Sequence, residues 1–173
     1  MYKVLTIDPG RGLGYAFWPS LRTNMDKPLI QPTAYGCINM PVEGLWELRA
    51  KALFWEFVNL ASDFEPKHII VENQALWGGS TKSFTAGVKG SLFKLSHVTG
   101  LILAAAFILE ADAHLVQPMI WKGTLPNRLV KQRVLKAMGK QFDAVEHTFD
   151  ALGLGFSIQG VLKGDNKIWS LAE

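Results

Sequence analysis

Two acids in this chain stand where apolar runs stop. Lys3-Val4-Leu5-Thr6-Ile7-Asp8 breaks off at Pro9-Gly10, and Lys67-His68-Ile69-Ile70-Val71-Glu72 breaks off at Asn73. Runs of this kind read as strands buried on both faces, and Pro-Gly reads as the turn that ends one. Reactants in α/β sheets gather outside the carboxyl ends of the strands, so two such strands side by side bring Asp8 and Glu72 together. Carboxylates that close repel unless a cation lies between them, and the cation that suits is a divalent metal. An Asp before Pro-Gly is also an ordinary turn residue. Glu72, closing an Ile-Ile-Val run with no arginine near it in sequence, is harder to read that way. His147 and Asp150, three apart, share one helical face, a spacing that taken alone also describes a local surface pair. His68, His97 and His114 lack metal-ligand spacing and read as structural. Gly10, Gly12 and Gly14 suggest a phosphate loop, but no helix N-terminus follows them to supply amides.

The elements that must position these acids follow from periodicity and punctuation. After the Asp8 strand, Gly12-Leu13-Gly14 turns the chain into a second strand around Tyr15–Trp18, and a polar stretch leads to a third over Ala34–Met40. Leu45, Leu48, Ala52, Trp55, Val58 and Leu60 mark an amphipathic helix that Pro66 terminates before the Glu72 strand. A helix over Leu92–Leu109, a short strand at Ala113–Val116, a basic segment and a last helix over about Phe142–Leu154 complete the order. That order describes a single α/β domain over residues 1–173 with a mixed five-stranded sheet, an antiparallel meander plus parallel strands, flanked by helices. Residues from about 157 onward read as a C-terminal tail.

Composition narrows the classes. Hydrophobic residues at 49% and charged residues at 19% are ordinary for a globular chain. Cys37, the one cysteine, rules out an internal disulfide and a Cys-rich zinc site. With no signal peptide at the start, a reducing cytoplasm is the expected compartment. The most apolar stretch, Leu101–Leu109, is far shorter than the roughly 20 residues a membrane span needs. Net charge is only +3, yet Asn73–Phe142 carries nine basic residues against two acidic ones, which leaves the remainder at −4. A block of this kind points to a polyanion, or else to a solvated helix face.

Ile7-Asp8-Pro9-Gly10, Gly14-Tyr15-Ala16, Ile70-Val71-Glu72-Asn73-Gln74 and His147-Thr148-Phe149-Asp150-Ala151-Leu152-Gly153-Leu154 together resemble, in order and spacing, the motifs of RuvC-type Holliday junction resolvases of the ribonuclease H-like superfamily. The resemblance runs from Tyr2 to about Phe156. It implies that the first two acids of the family's site are Asp8 and Glu72 and that the last pair is His147 and Asp150, the family carrying either two Asp or His and Asp there. Between Glu72 and Gly100 this chain departs by a longer stretch containing Leu76-Trp77-Gly78-Gly79-Ser80. Trp77 is the nearest match to the family's apolar wedge. Lys122 and Lys131 resemble basic residues that the family places near the scissile phosphate, while Lys82, Arg128 and Arg133 fit a broader electrostatic groove.

Phosphodiester cleavage needs an activated water, compensation of charge at phosphorus and a stabilised leaving oxygen, which two divalent ions supply together. Mg²⁺ or Mn²⁺, two per site, is therefore the expected cofactor. Asp8 is the natural bridging ligand, with Glu72 and Asp150 on either side and His147 completing the Asp150 side. The expected activity is paired nicking of four-way DNA junctions by a homodimer, whose twofold axis matches the two scissile positions. The alternatives are a related nuclease acting on RNA–DNA hybrids or structured RNA, and a junction-binding protein that does not cut.

Overall fold

The computed structural model describes residues 2–10, 12–21, 28–73 and 91–162. Five strands, β1 (Tyr2–Pro9), β2 (Gly12–Leu21), β3 (Ala34–Asn39), β4 (His68–Glu72) and β5 (Asp112–Val116), form one sheet in the order β3-β2-β1-β4-β5. The first three pair antiparallel, and β4 and β5 add in parallel to the free side of β1. The helices are α1 (Trp46–Phe64), α2 (Ser91–Ile108), α3 (Pro118–Trp121), α4 (Asn127–Met138) and α5 (Glu146–Ile158).

Alternation along β1 divides the core. Leu5 and Ile7 face one side of the sheet, where Phe57 of α1 and Ile102 of α2 complete a cluster. Val4 faces the other, with Trp18, Trp121, Val130 and Phe156 from β2, α3, α4 and α5. The result is three layers, helices on both faces of a mixed sheet, as the sequence pattern implies. Among the described residues no helix is long and apolar enough to cross a membrane.

Three expectations need correction. The inward stripe of α1 is Ala50, Leu53, Phe57, Val58 and Ala61, whereas Leu45, Leu48 and Trp55 point outward. The helix carries two apolar stripes, and the sheet takes the one with continuous i, i+3, i+7, i+8, i+11 spacing. The last helix starts at Glu146, later than Phe142, because Phe142 is spent on stacking against Phe149 and Tyr35. It also runs through Gly153 and Gly155 to Ile158, and Leu162 beyond it is buried, so residues 157–162 belong to the body of the domain. The basic segment forms α3 and α4, with α4 ending at Gly139 in the left-handed conformation, a residue type suited to that cap.

Candidate metal centre

Register decides that the first two acids meet. Val4 to Ile7 of β1 pair with His68 to Val71 of β4, so the next residues, Asp8 and Glu72, emerge together at the carboxyl end of two adjacent strands. Asp150 arrives from α5, which lies across β1 and β2. One carboxylate oxygen from each of Asp8, Glu72 and Asp150 lies within 4.8 Å of the other two, and all three residues are buried.

Close approach of α5 depends on residues that lack bulk or carry one hydrogen-bonding group. A Cβ on Gly14 would stand 2.0 Å from the carbonyl oxygen of His147, and one on Gly10 would stand 2.0 Å from its ring. These glycines therefore seat the first turn of α5, and they do not cradle a phosphate. On the same face of β1, the buried Thr6 hydroxyl donates to the Ala151 carbonyl at 2.8 Å and accepts from Trp18 Nε1 at 3.0 Å, fixing the helix one residue from Asp150. Trp121 Nε1 donates to Glu72 Oε2 at 2.8 Å. Trp121 is at the same time a fully buried core residue, and nothing in its local sequence pattern points to Glu72.

The charge in the cluster is out of balance. Lys122 Nζ lies 2.7 Å from Asp150 Oδ2 and 3.6 Å from Glu72 Oε2, among the described residues one lysine against three carboxylates. Burial, followed by repulsion from Asp8, pushes the Glu72 carboxyl up to about 8. Burial also raises Asp150, against the opposing pull of Lys122. Lys122 is itself held above its ordinary value: burial works to lower it, but Glu72 and Asp150 outweigh that. A proton retained near neutral pH is shared within so close a set, with Glu72 its most buried holder. Buried acids short of positive charge, all oxygen donors, suit a hard divalent cation.

His147 stands beside this triad. Its Nδ1 lies 2.7 Å from Asp8 Oδ2, so the ring leans on Asp8, and that hydrogen bond raises its pKa despite partial burial. The other anticipated residues divide by position. Arg128 is exposed on α4, Arg133 half-buried, and Lys131 reaches Asp143 at 3.3 Å and lies over the Phe149 ring. Trp77 and Lys82 lie outside the described residues. Among the described residues, Lys122 is the lysine that enters the acid cluster. Of the histidines set aside, His97 accepts from Trp46 Nε1 at 3.0 Å, and His68 pairs with His114 at 3.2 Å, both away from the triad.

No protein-family model and no curated protein matches the sequence. Solved structures do match the fold. The structure of RuvC from Thermus thermophilus superposes with a TM-score of 0.70 at 17% identity, covering 99% of this chain and 96% of that one. T. thermophilus RuvC in complex with a Holliday junction substrate gives 0.68 at 19% identity, over 89% and 90%. The Fowlpox virus resolvase in its complex with substrate Holliday junction DNA gives 0.57 at 14% identity, over 92% and 99%. With its sheet order, its flanking helices and these near-complete superpositions, the chain has the ribonuclease H-like fold of the RuvC-type resolvases.

Proposed function

We propose that this protein is a metal-dependent endonuclease that resolves four-way DNA junctions by paired nicks. The observation that carries the reading is the buried triad of Asp8, Glu72 and Asp150 at the carboxyl end of the sheet. Its neighbours in fold, two of them described as complexes with Holliday junction DNA, favour a branched substrate over other polyanions. Asp8, Glu72 and Asp150 are the residues that would hold Mg²⁺ or Mn²⁺. Bound there, the ions supply nucleophile activation and charge compensation at phosphorus.

The chain's own residues do the rest. Trp121 fixes the Glu72 carboxylate through its indole N–H. His147 orients Asp8, and as the neutral imidazole it is also available as a ligand. Arg128, Lys131 and Arg133 on α4 hold the backbone of the incoming strand without reading its bases.

A homodimer supplies two sites for two cuts. In support, Phe93, His97, Gly100, Ala104 and Phe107 recur along the outer side of α2 at alternating steps of four and three, the spacing of a helix–helix seam. Phe93 is 76% and Phe107 86% exposed, seven residues to either side of Gly100. A glycine inside a helix costs about 1 kcal/mol relative to alanine, and among the described residues a Cβ at Gly100 would meet nothing within 4 Å. Large ends and a bare centre are complementary to the same stripe turned about a twofold axis. The compartment that fits such an enzyme and its one cysteine is the cytoplasm.

The test is cleavage of a synthetic four-way junction with Mg²⁺ or Mn²⁺, beside matched RNA–DNA hybrid and linear duplex. Symmetric paired nicks in the junction alone are expected. Preferential cutting of the hybrid would replace this reading with a hybrid-directed nuclease, and tight junction binding without cutting under either ion would reduce the protein to a binder.

A further inference from the structure

The lysine inside the acid cluster raises a question of space. Lys122 Nζ touches Asp150 Oδ2 at 2.7 Å and approaches Glu72 Oε2 to 3.6 Å, and only 13% of its side chain is exposed. The donor oxygens of Asp8, Glu72 and Asp150 all lie within 4.8 Å of one another, so an ion held by Glu72 or by Asp150 would be received beside the lysine. Mg²⁺ sits about 2.1 Å from each oxygen it binds, so an ammonium that remained between the two carboxylates would stand nearly in contact with a dication. Both cations cannot occupy that gap.

We infer that Lys122 is a tethered stand-in for the metal: it fills the space between Glu72 and Asp150 in the metal-free protein and is expelled when a divalent ion binds. The inference rests on the metal-centre reading above and adds to it a movement of one side chain. The local structure permits this movement. Lys122 caps the short helix α3, its backbone N–H held by Pro118 O at 2.9 Å, so the backbone stays put while four rotatable bonds carry the ammonium outward. Trp121 keeps its grip on Glu72 and offers its ring, 4.8 Å from Nζ, as a surface for the stem. The released charge is then free to meet a strand phosphate, which makes phosphate capture by this residue conditional on metal binding.

The test reads the lysine directly in the wild-type protein. Amines are acylated with a small active ester and the modified peptides are quantified by mass spectrometry, with exposed Lys136 as internal reference. Without divalent ion Lys122 is expected to react slowly; saturating Mg²⁺ is expected to speed it relative to Lys136 by about tenfold, a ratio worth about 1.4 kcal/mol of lost pairing. An unchanged or slower rate, with Mg²⁺ binding shown by calorimetry on the same sample, overturns the inference and leaves the metal centre standing. Absence of any Mg²⁺ or Mn²⁺ binding by calorimetry overturns the metal centre, and the inference with it. Lys122→Met gives a second readout: at about pH 8.5, where proton competition is weakest, Mg²⁺ should bind it more tightly than wild type because no tethered cation must leave. Weaker binding by a folded Lys122→Met would make Lys122 a structural support for the acids and sink the idea. Should the variant fail to fold, the wild-type labelling decides alone.

Discussion

The metal-free protein should lose stability as pH rises from about 5 to about 7, the reverse of what salt-bridged carboxylates give. Glu72 carries the magnitude. Its carboxyl moves from an ordinary 4.5 to about 8 in the folded chain, driven by burial and then by Asp8. Between those values the folded state keeps a proton that the unfolded chain has released, so fewer protons are bound on unfolding and the slope of stability against pH is negative. Each pH unit inside that window is worth about 1.4 kcal/mol, so two units amount to about 3 kcal/mol, or about 6–12 °C in Tm for a domain of this size. Asp150, also raised by burial, adds in the same direction. So does His147: its raised pKa contributes stability that is fully present below about 6.5 and is lost as pH climbs through the folded value. Saturating Mg²⁺ binds the deprotonated acids and should flatten or invert the slope. The assay is calorimetric melting across this pH range in chelator and in Mg²⁺. Glu72→Gln, which keeps size and removes charge, should raise the metal-free Tm near pH 8 and abolish most of the Mg²⁺-induced gain. A metal-free Tm that is constant or rising from pH 5 to 7 would refute the reasoning, because the acids could not then be both buried and short of positive charge.

Asp8→Asn should abolish cleavage while junction binding persists or tightens, as read by gel shift beside a nicking assay, because the basic residues proposed to bind DNA lie on α4 and not in the acid cluster. Gly14→Ala should destabilise the protein by several kcal/mol in denaturant melts, since its Cβ meets the His147 backbone, which cannot yield as a flexible side chain can. Replacing Arg128 or Arg133 with Ala should make the log–log salt dependence of junction binding shallower by about one unit each if they hold phosphates, and an unchanged slope in both would return α4 to a solvated face. His147→Ala should lose most activity with either ion, whereas His147→Asp should keep activity, shift preference from Mn²⁺ toward Mg²⁺, and lose an acid limb that in wild type lies above about 6.5 because Asp8 raises the imidazole; wild-type rates in His147→Ala would leave His147 a bystander.

The sheet and two members of the triad were legible because both rest on short-range signals. A buried strand writes its own apolar run, and an acid at its end is visible at once, as at Asp8 and Glu72. Asp150 needed more: its helical spacing from His147 alone fits a surface pair, and only the resemblance of several motifs in order singled it out. The buried face of α1 is not legible in the sequence, because Leu48 and Trp55 are as apolar as Leu53 and Phe57, and periodicity does not say which of two stripes a sheet will accept. The place of Lys122 against Glu72 and Asp150 is not legible in the sequence, because the pull on a lysine comes from carboxylates far away in sequence. The three glycines near Asp8 look like a phosphate loop until the helix that presses on two of them is in place.

That helix explains why acids from separate elements meet so closely. From Thr148 to Ile158 every residue of α5 is buried, and the helix gains its depth from two glycines near its end. A Cβ on Gly155 would stand 2.2 Å from the Trp18 ring, and one on Gly153 would stand 2.8 Å from Trp121. Trp18 donates to Thr6, and Thr6 to the Ala151 carbonyl beside Asp150. Trp121 donates to Glu72. Each glycine thus admits an indole that is tied by hydrogen bonds to one side of the triad, Gly155 toward Asp150 and Gly153 toward Glu72. Helix propensity is sacrificed at both positions, at about 1 kcal/mol apiece, for approach distances that no side chain at either position would allow. The separation of Glu72 and Asp150 is in this way set by packing at Gly153 and Gly155, three and five residues beyond Asp150.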